Sequence, residues 1–170
     1  MSGLQTIKKF FRREDGGALA ELAILVPFLA LMLAAVCEIG RFFQNYTTLA
    51  KATRTASRYL SNHSLNPTEI GRANSLAYCG KLVCGVTDPP IVNGLLATNI
   101  CIETTGSPKV TTVTVRLPRD TSPCNPTTGA AAATPYVFKP IFDIGALLNN
   151  PSISMAVPIA PSTTMYYMID

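Results

Sequence analysis

The chain has 170 residues, of which 48% are hydrophobic and 14% are charged, and its formal net charge is +4. This composition is apolar for a soluble domain, and one N-terminal apolar run accounts for much of it. Without roughly the first 60 residues, about 110 remain, which is enough for one small domain with a modest core.

The apolar run covers residues 18–36 and predicts a transmembrane helix. At about 1.5 Å of rise per residue, its roughly 19 residues span about 28 Å, close to the thickness of one bilayer core. Two residues are unusual for a simple anchor. Glu21 places a carboxylate inside the run, and Pro27 lacks the amide donor that would pair with the carbonyl of Ala23.

An ionised acid in lipid costs about 2.5–3.5 kcal/mol on insertion scales, so such a group normally has a partner. We therefore predict that Glu21 serves subunit assembly and register, and that this helix polymerises as well as anchors. Pro27 predicts a helix break, at which the helix bends or locally unwinds.

A basic cluster precedes the apolar run and sets the expected topology. The positive-inside rule keeps the N-terminus in the cytoplasm and places the C-terminal body across the membrane. A nucleic-acid-binding arm would have a similar composition, but a membrane-spanning run follows directly, so we expect no nucleic-acid partner. The cluster consists of Lys8, Lys9, Arg12 and Arg13.

The five cysteines fit this orientation. Cys37, at the far end of the run, is expected to be a small packing residue. An oxidising compartment favours two disulfides among the four exported cysteines, although four cysteines allow three pairings. A zinc site is the rival interpretation, but the spacings are irregular and His63 is the only histidine, so we predict no metal. The four exported cysteines are Cys79, Cys84, Cys101 and Cys124.

The helix is predicted to continue beyond the membrane, from about residue 15 to about residue 61. Apolar and small residues repeat there at spacings of three and four, which is typical of one helix face: Leu49, Ala52, Thr53, Ala56 and Leu60. The aromatic residues Phe42, Phe43 and Tyr46 suit a membrane–water boundary.

A second helix is predicted from Pro67 to about Tyr78. Asn66 can cap its start, Glu69 follows the cap by three positions, and Gly80 suits its end.

Strand patterns follow at residues 99–104, 109–117 and 152–157, with a hairpin loop at Gly106-Ser107-Pro108 and a long loop over 118–135. The run Tyr136-Val137-Phe138 is short and apolar. The apolar tail over 165–169 can pack on the domain or against a partner. The fold class is therefore α+β: a long N-terminal transmembrane helix that continues into a small exported domain with a second helix and an antiparallel sheet.

Catalytic patterns are not found in the sequence. His63 has no convincing nucleophilic partner, the acids are few and scattered, and Gly16-Gly17 does not begin a phosphate loop. We therefore expect no enzyme activity and no cofactor.

A secretory signal would have a shorter apolar core, of about 7–15 residues. The weak cleavage sequence Ala34-Ala35-Val36-Cys37 nevertheless leaves a secreted soluble domain as an alternative.

The start of the chain resembles the type IV pilin-like families, in which a short basic leader ends in Gly and Glu is the fifth residue after it. Here Glu21 follows Gly16 by five positions. Within that group, the chain resembles the TadE-like minor pilins, or pseudopilins, of the tight-adherence (Tad, Flp) pilus. The residues that carry the resemblance are Gly17, Ala18, Ala20, Glu21, Pro27, Glu38-Ile39-Gly40-Arg41, Ala50, Arg54, Ala56, Arg58 and Tyr59.

The resemblance implies that a prepilin peptidase cuts between Gly16 and Gly17. The ammonium of Gly17 would then neutralise Glu21 of a neighbouring subunit. Leu22 departs from the family pattern, in which Tyr often follows the Glu. The implied domains are a cytoplasmic leader at 1–16, a transmembrane and stalk helix at 17–61, and a periplasmic or extracellular α+β domain at 62–170.

The implied function is structural: a minor pilin that takes part in Tad (Flp, type IVc) pilus assembly and primes or caps the filament. Such a subunit would cross the inner membrane once, would enter the extracellular pilus, and would contact other pilin subunits and the assembly platform proteins. The alternative is a membrane-anchored, exported binding or adhesion module with an uncleaved signal anchor.

Overall fold

Helix α1 (Glu14–Ser61) is the longest element and confirms the predicted long N-terminal helix. It belongs to a computed structural model that describes residues 14–106, 109–121, 124, 134–142, 149–150, 154 and 156–169. The basic cluster and most of the expected leader lie outside these residues.

The chain divides into two compact units, Met1–Gly40 and Arg41–Asp170. The described part of the first unit is the apolar half of α1. The second unit contains the rest of α1 together with the globular body, so the boundary lies inside the helix. The domain bounds 1–16, 17–61 and 62–170 stay a prediction.

Helix α2 (Pro67–Cys79) begins and ends where its sequence indicates. The side chain of Asn66 accepts a hydrogen bond from the Glu69 amide at 2.8 Å, and Pro67 occupies the first turn, where its missing amide costs nothing. Gly80 ends the helix in the left-handed conformation, with φ of 77°, which glycine adopts without a Cβ clash.

Three strands form one antiparallel sheet in the order β1-β2-β3: β1 (Cys101–Thr105), β2 (Thr112–Arg116) and β3 (Ser162–Tyr166). Ile102 pairs with Val115, and Val115 pairs with Thr163. In β2, Val113 and Val115 are buried while their neighbours are half-buried, which is the predicted period of two. The α+β class and the antiparallel sheet are therefore confirmed.

The third strand differs from the sequence prediction. It comes from the tail that begins at Ser162, which has three polar residues among its five and carries no strong strand pattern. Of the predicted strand at 152–157, residues 152, 153 and 155 lie outside the described residues, and the other three are not in a strand.

The hairpin between β1 and β2 turns at Gly106, which has φ of 117°. A Cβ placed there would lie 2.4 Å from the carbonyl oxygen of Lys109, so the turn requires glycine. Ser107, Pro108 and most of the predicted loop over 118–135 lie outside the described residues.

The main core lies where the outer half of α1, α2 and the sheet meet. Both helices contribute small buried residues, and the sheet supplies branched side chains. Its buried members are Ala56, Leu60, Ala73, Ala77, Ile100, Ile102, Val113 and Val115.

Two buried hydroxyl groups tie α1 to β3. Thr53 Oγ1 lies 3.1 Å from Thr163 Oγ1, and Ser57 Oγ lies 3.0 Å from the Thr163 carbonyl oxygen. Both side chains are fully buried, so these bonds satisfy polar groups that would otherwise destabilise the core.

A second core cluster gathers the loop residues around Leu49 of α1. Phe42 packs edge-on against Phe138, with ring centroids 5.5 Å apart. Of the three aromatic residues expected at a membrane boundary, Phe42 therefore packs against the core, whereas Phe43 and Tyr46 are exposed.

Two disulfides staple the second unit, Cys79 to Cys84 and Cys101 to Cys124. The sequence left three pairings open, and the tertiary structure selects this one. Cys37 is a free thiol and is exposed in the single chain.

The two disulfides are expected to differ in their contribution to stability. They close loops with sequence separations of 5 and 23. Because loop-closure entropy grows with loop length, replacing Cys79 and Cys84 with Ala should lower the free energy of unfolding by about 2 kcal/mol. The same change at Cys101 and Cys124 should lower it by about 3 kcal/mol. Denaturant unfolding of the full chain in detergent micelles measures both.

Cys37→Ala is the matched control and should leave the unfolding free energy unchanged, because this thiol is exposed and unpaired. A larger loss from the short-loop pair than from the long-loop pair would contradict the expected order.

Candidate functional site

The predicted processing and assembly residues all lie in the first half of α1. Helix α1 runs without interruption through Gly16, Gly17 and Glu21. Gly17 and Glu21 are four residues apart, so they lie on the same helix face, separated by about one turn. Both are exposed in the single chain.

The apolar run is exposed around the whole helix. A single described helix, Gly17–Ser61, is long and apolar enough to cross a membrane. Exposing so large an apolar surface to water is unfavourable, so lipid or other subunits must cover it. The helix therefore suggests a membrane anchor. Its exposed large residues are Leu19, Leu22, Ile24, Leu25, Val26, Phe28, Leu29, Leu31, Met32, Leu33 and Val36.

Pro27 lies inside α1, and the helix continues past it in the single chain. The proline still removes one amide donor, which leaves the carbonyl of Ala23 without its usual helical partner. The helix therefore lacks one backbone hydrogen bond at this position, and the break itself stays a prediction.

The outer part of the family-like pattern has a structural role. Ala56 is fully buried in the main core, and the Tyr59 hydroxyl donates a hydrogen bond to Glu69 of α2. This bond, together with burial, raises the pKa of Tyr59. Glu69 also pairs with Arg72 at 2.8 Å. The Tyr59–Glu69 contact thus joins the end of α1 to the start of α2.

His63 packs against Tyr59 just after the end of α1. Its ring stacks on the Tyr59 ring, with centroids 4.0 Å apart, and its Nδ1 lies 2.7 Å from the Tyr59 carbonyl oxygen. Among the residues that the structure describes, no group of His, Cys, Asp and Glu side chains could hold a metal ion.

The short disulfide joins Cys79 to Cys84, and Asp88 holds the segment that follows it. Lys81 Nζ lies 2.6 Å from one carboxylate oxygen of Asp88, and the Gly85 amide donates to the other at 2.8 Å. These two contacts, first Lys81 and then Gly85, lower the pKa of Asp88. Val83, inside the disulfide loop, and Val86, just after it, are both exposed.

A cleft of about 230 Å³ lies in the second unit, beside the first turn of α1 that belongs to it. Tyr136 donates a hydrogen bond from its hydroxyl to the Asn93 carbonyl oxygen at 3.0 Å. Burial raises the pKa of Tyr136, and the charge of Arg41 opposes that shift. The lining residues are Arg41, Asn45, Asn93, Gly94, Tyr136, Val137 and Lys139.

Sequence reasoning did not find this cleft. Its residues come from one helix turn and two irregular segments, and those segments have no periodicity that would align them. The only signal was Lys139, a basic residue between apolar neighbours in the run from Tyr136 to Phe142.

The comparison with known proteins gives a match that lies within α1. Residues 16–58 match the model of a family described as TadE-like protein. No curated protein and no solved structure matches the chain. The matched residues include Gly16, Glu21 and Pro27, so they cover the pattern from which the resemblance was inferred. The helical segment 16–58 is therefore similar to the TadE-like family, and the rest of the chain lies outside the match.

Proposed function

We propose that the chain is a structural minor pilin, or pseudopilin, that takes part in assembly of a Tad (Flp, type IVc) pilus and primes or caps the filament. The observation that carries the proposal is the TadE-like match over residues 16–58, a helix with Glu21 in its apolar surface. A subunit of this kind acts through assembly and needs no catalytic site.

In this proposal the helix crosses the inner membrane once, with its N-terminus in the cytoplasm and its C-terminal unit in the periplasm. The basic residues before the run support that orientation. A prepilin peptidase removes residues 1–16, and the mature chain then contacts other pilin subunits and the assembly platform.

Cleavage after Gly16 creates an ammonium group that can pair with Glu21 of a neighbouring subunit. The new ammonium of Gly17 is a cation at the start of the helix, and Glu21 of a neighbouring subunit is an anion in the apolar surface. Pairing the two offsets the cost of a carboxylate away from water and sets the axial register between subunits. Other apolar residues of α1 pass from lipid to neighbouring helices and remain covered throughout.

The second unit supports a minor rather than a major role. Major pilins of this kind are expected to be little more than the helix, whereas this chain has a stapled globular unit from Arg41 onward. A bulky unit suits a position at the tip or base of a filament, where fewer neighbours crowd it.

The mature N-terminus tests the processing step. Intact mass and N-terminal sequencing of the protein from cells that assemble the pilus should give Gly17 as the first residue. Retention of Met1 would favour the uncleaved anchor, and a start after Val36 would favour secretion. Gly16→Leu is the control and should leave the chain uncut, because a bulky residue occupies the cleavage position.

Glu21→Gln tests the assembly step. The amide keeps the size of the side chain but removes the charge that pairs with the Gly17 ammonium, so incorporation into pili should fall at least about tenfold, the effect of losing about 1.4 kcal/mol of pairing free energy. Quantitative immunoblots of sheared pili and of membrane fractions measure this ratio.

Leu22→Ala is the matched control, because Leu22 occupies the adjacent, exposed position on α1. It should leave incorporation within about twofold of the unaltered chain. Both variants should remain in the membrane fraction. Normal pilus incorporation of Glu21→Gln would rule out the charge pair.

A further inference from the structure

A row of cations follows the solvent-facing side of α1 inside the second unit and consists of Lys51, Arg54 and Arg58. These residues are three and four positions apart, so they lie on one side of the helix at intervals of about one turn. Seven helical residues rise about 10.5 Å, which is about one Debye length at 0.1 M salt. This cationic row therefore acts on a partner as one charged surface.

Within the described part of the chain, acidic residues do not neutralise the cationic row. All three side chains are exposed, and none forms an ion pair with a residue that the structure describes. In the sequence, no acidic residue lies between Glu38 and Glu69, and Glu69 pairs with Arg72. The outer face of this half of α1 is therefore positively charged.

The rest of this helix face is polar. Thr55 follows Lys51 by four positions, Asn62 follows Arg58 by four, and both are exposed. A helix that lies on a membrane needs large apolar side chains beside its cations, and single-stranded nucleic acid is bound by aromatic side chains. The polar composition disfavours both occupants, whereas guanidinium and ammonium groups on such a face suit carboxylates.

A second copy of this chain is a poor match for the cationic row. Two copies, each with a formal net charge of +4, repel each other. Glu69, Asp88 and Glu103 already form ion pairs with cations of their own chain. The occupant that fits is therefore a different protein with an acidic surface.

We infer that the cationic row docks a helix of a different protein, whose carboxylates repeat at the same spacing of about one turn. Each arginine can hold a carboxylate through two parallel hydrogen bonds. Exposed ion pairs are individually weak, so the contact provides specificity and fast association more than affinity. It needs only the second unit and therefore depends on neither the proposed cleavage nor the proposed pilus role.

Two synthetic helical peptides test the inference with the full chain in phosphatidylcholine nanodiscs. One peptide carries a row of glutamates along one face, and the other carries glutamines at the same positions. Fluorescence anisotropy at about 0.1 M salt should show at least about tenfold tighter binding of the glutamate peptide, because opposite charges face each other. At about 1 M salt the difference should fall to about twofold or less, because the Debye length shrinks to about 3 Å.

Lys51→Glu should weaken binding of the glutamate peptide at least about tenfold, because it places like charges opposite each other. Lys139→Glu is the matched control, since it makes the same charge change at an exposed lysine outside α1. Its binding should stay within about twofold of the unaltered chain. An equal loss in the two variants would show that net charge alone drives binding and would overturn the cationic row as the site.

Three other results would also overturn the inference. Equal affinity for the glutamate and glutamine peptides would remove the role of charge. Tighter binding of a DNA duplex of the same net charge, with the same loss in Lys51→Glu, would make nucleic acid the occupant. Dimerisation of the chain in detergent micelles that Lys51→Glu abolishes, measured by sedimentation, would make a second copy the occupant.

Discussion

The structure depends on one constraint: the first half of α1 cannot face water. Its large apolar side chains are exposed on all sides of the helix in the single chain, so lipid or neighbouring subunits must cover them. Glu21 is the exception in this surface, because a carboxylate in the same environment needs a cation. In the proposed function, lipid covers this surface before assembly and neighbouring subunits cover it afterwards.

The second half of α1, by contrast, buries one face in the core of the second unit. Between Leu49 and Ser61 its buried face consists of small or hydroxyl-bearing residues, such as Ala56 and Ser57, together with leucines. This face packs in one buried cluster with residues of the sheet and α2, and hydrogen bonds to Thr163 satisfy the hydroxyl groups of Thr53 and Ser57. One continuous helix therefore carries an exposed apolar surface in its first half and a core face of the second unit in its second half.

The TadE-like pattern has two parts with different physical roles. Glu21, in the first part, is exposed in the single chain, and its role in assembly is a proposal. The part that ends at Tyr59 is explained within the chain, because Ala56 fills the core and Tyr59 holds Glu69 of α2. The second part of the pattern therefore stabilises the fold, whereas the first part carries the proposed assembly residue.

Local signals in the amino-acid order were sufficient for the helices, because their causes are local: the apolar run, the Asn66 cap, Pro67 and Gly80 act within a few residues. The alternating valines of β2 were equally clear. The third strand, the cysteine pairing and the cleft at Lys139 depended on the tertiary structure. Each joins segments far apart in the chain, and periodicity carries no information about which distant segments meet.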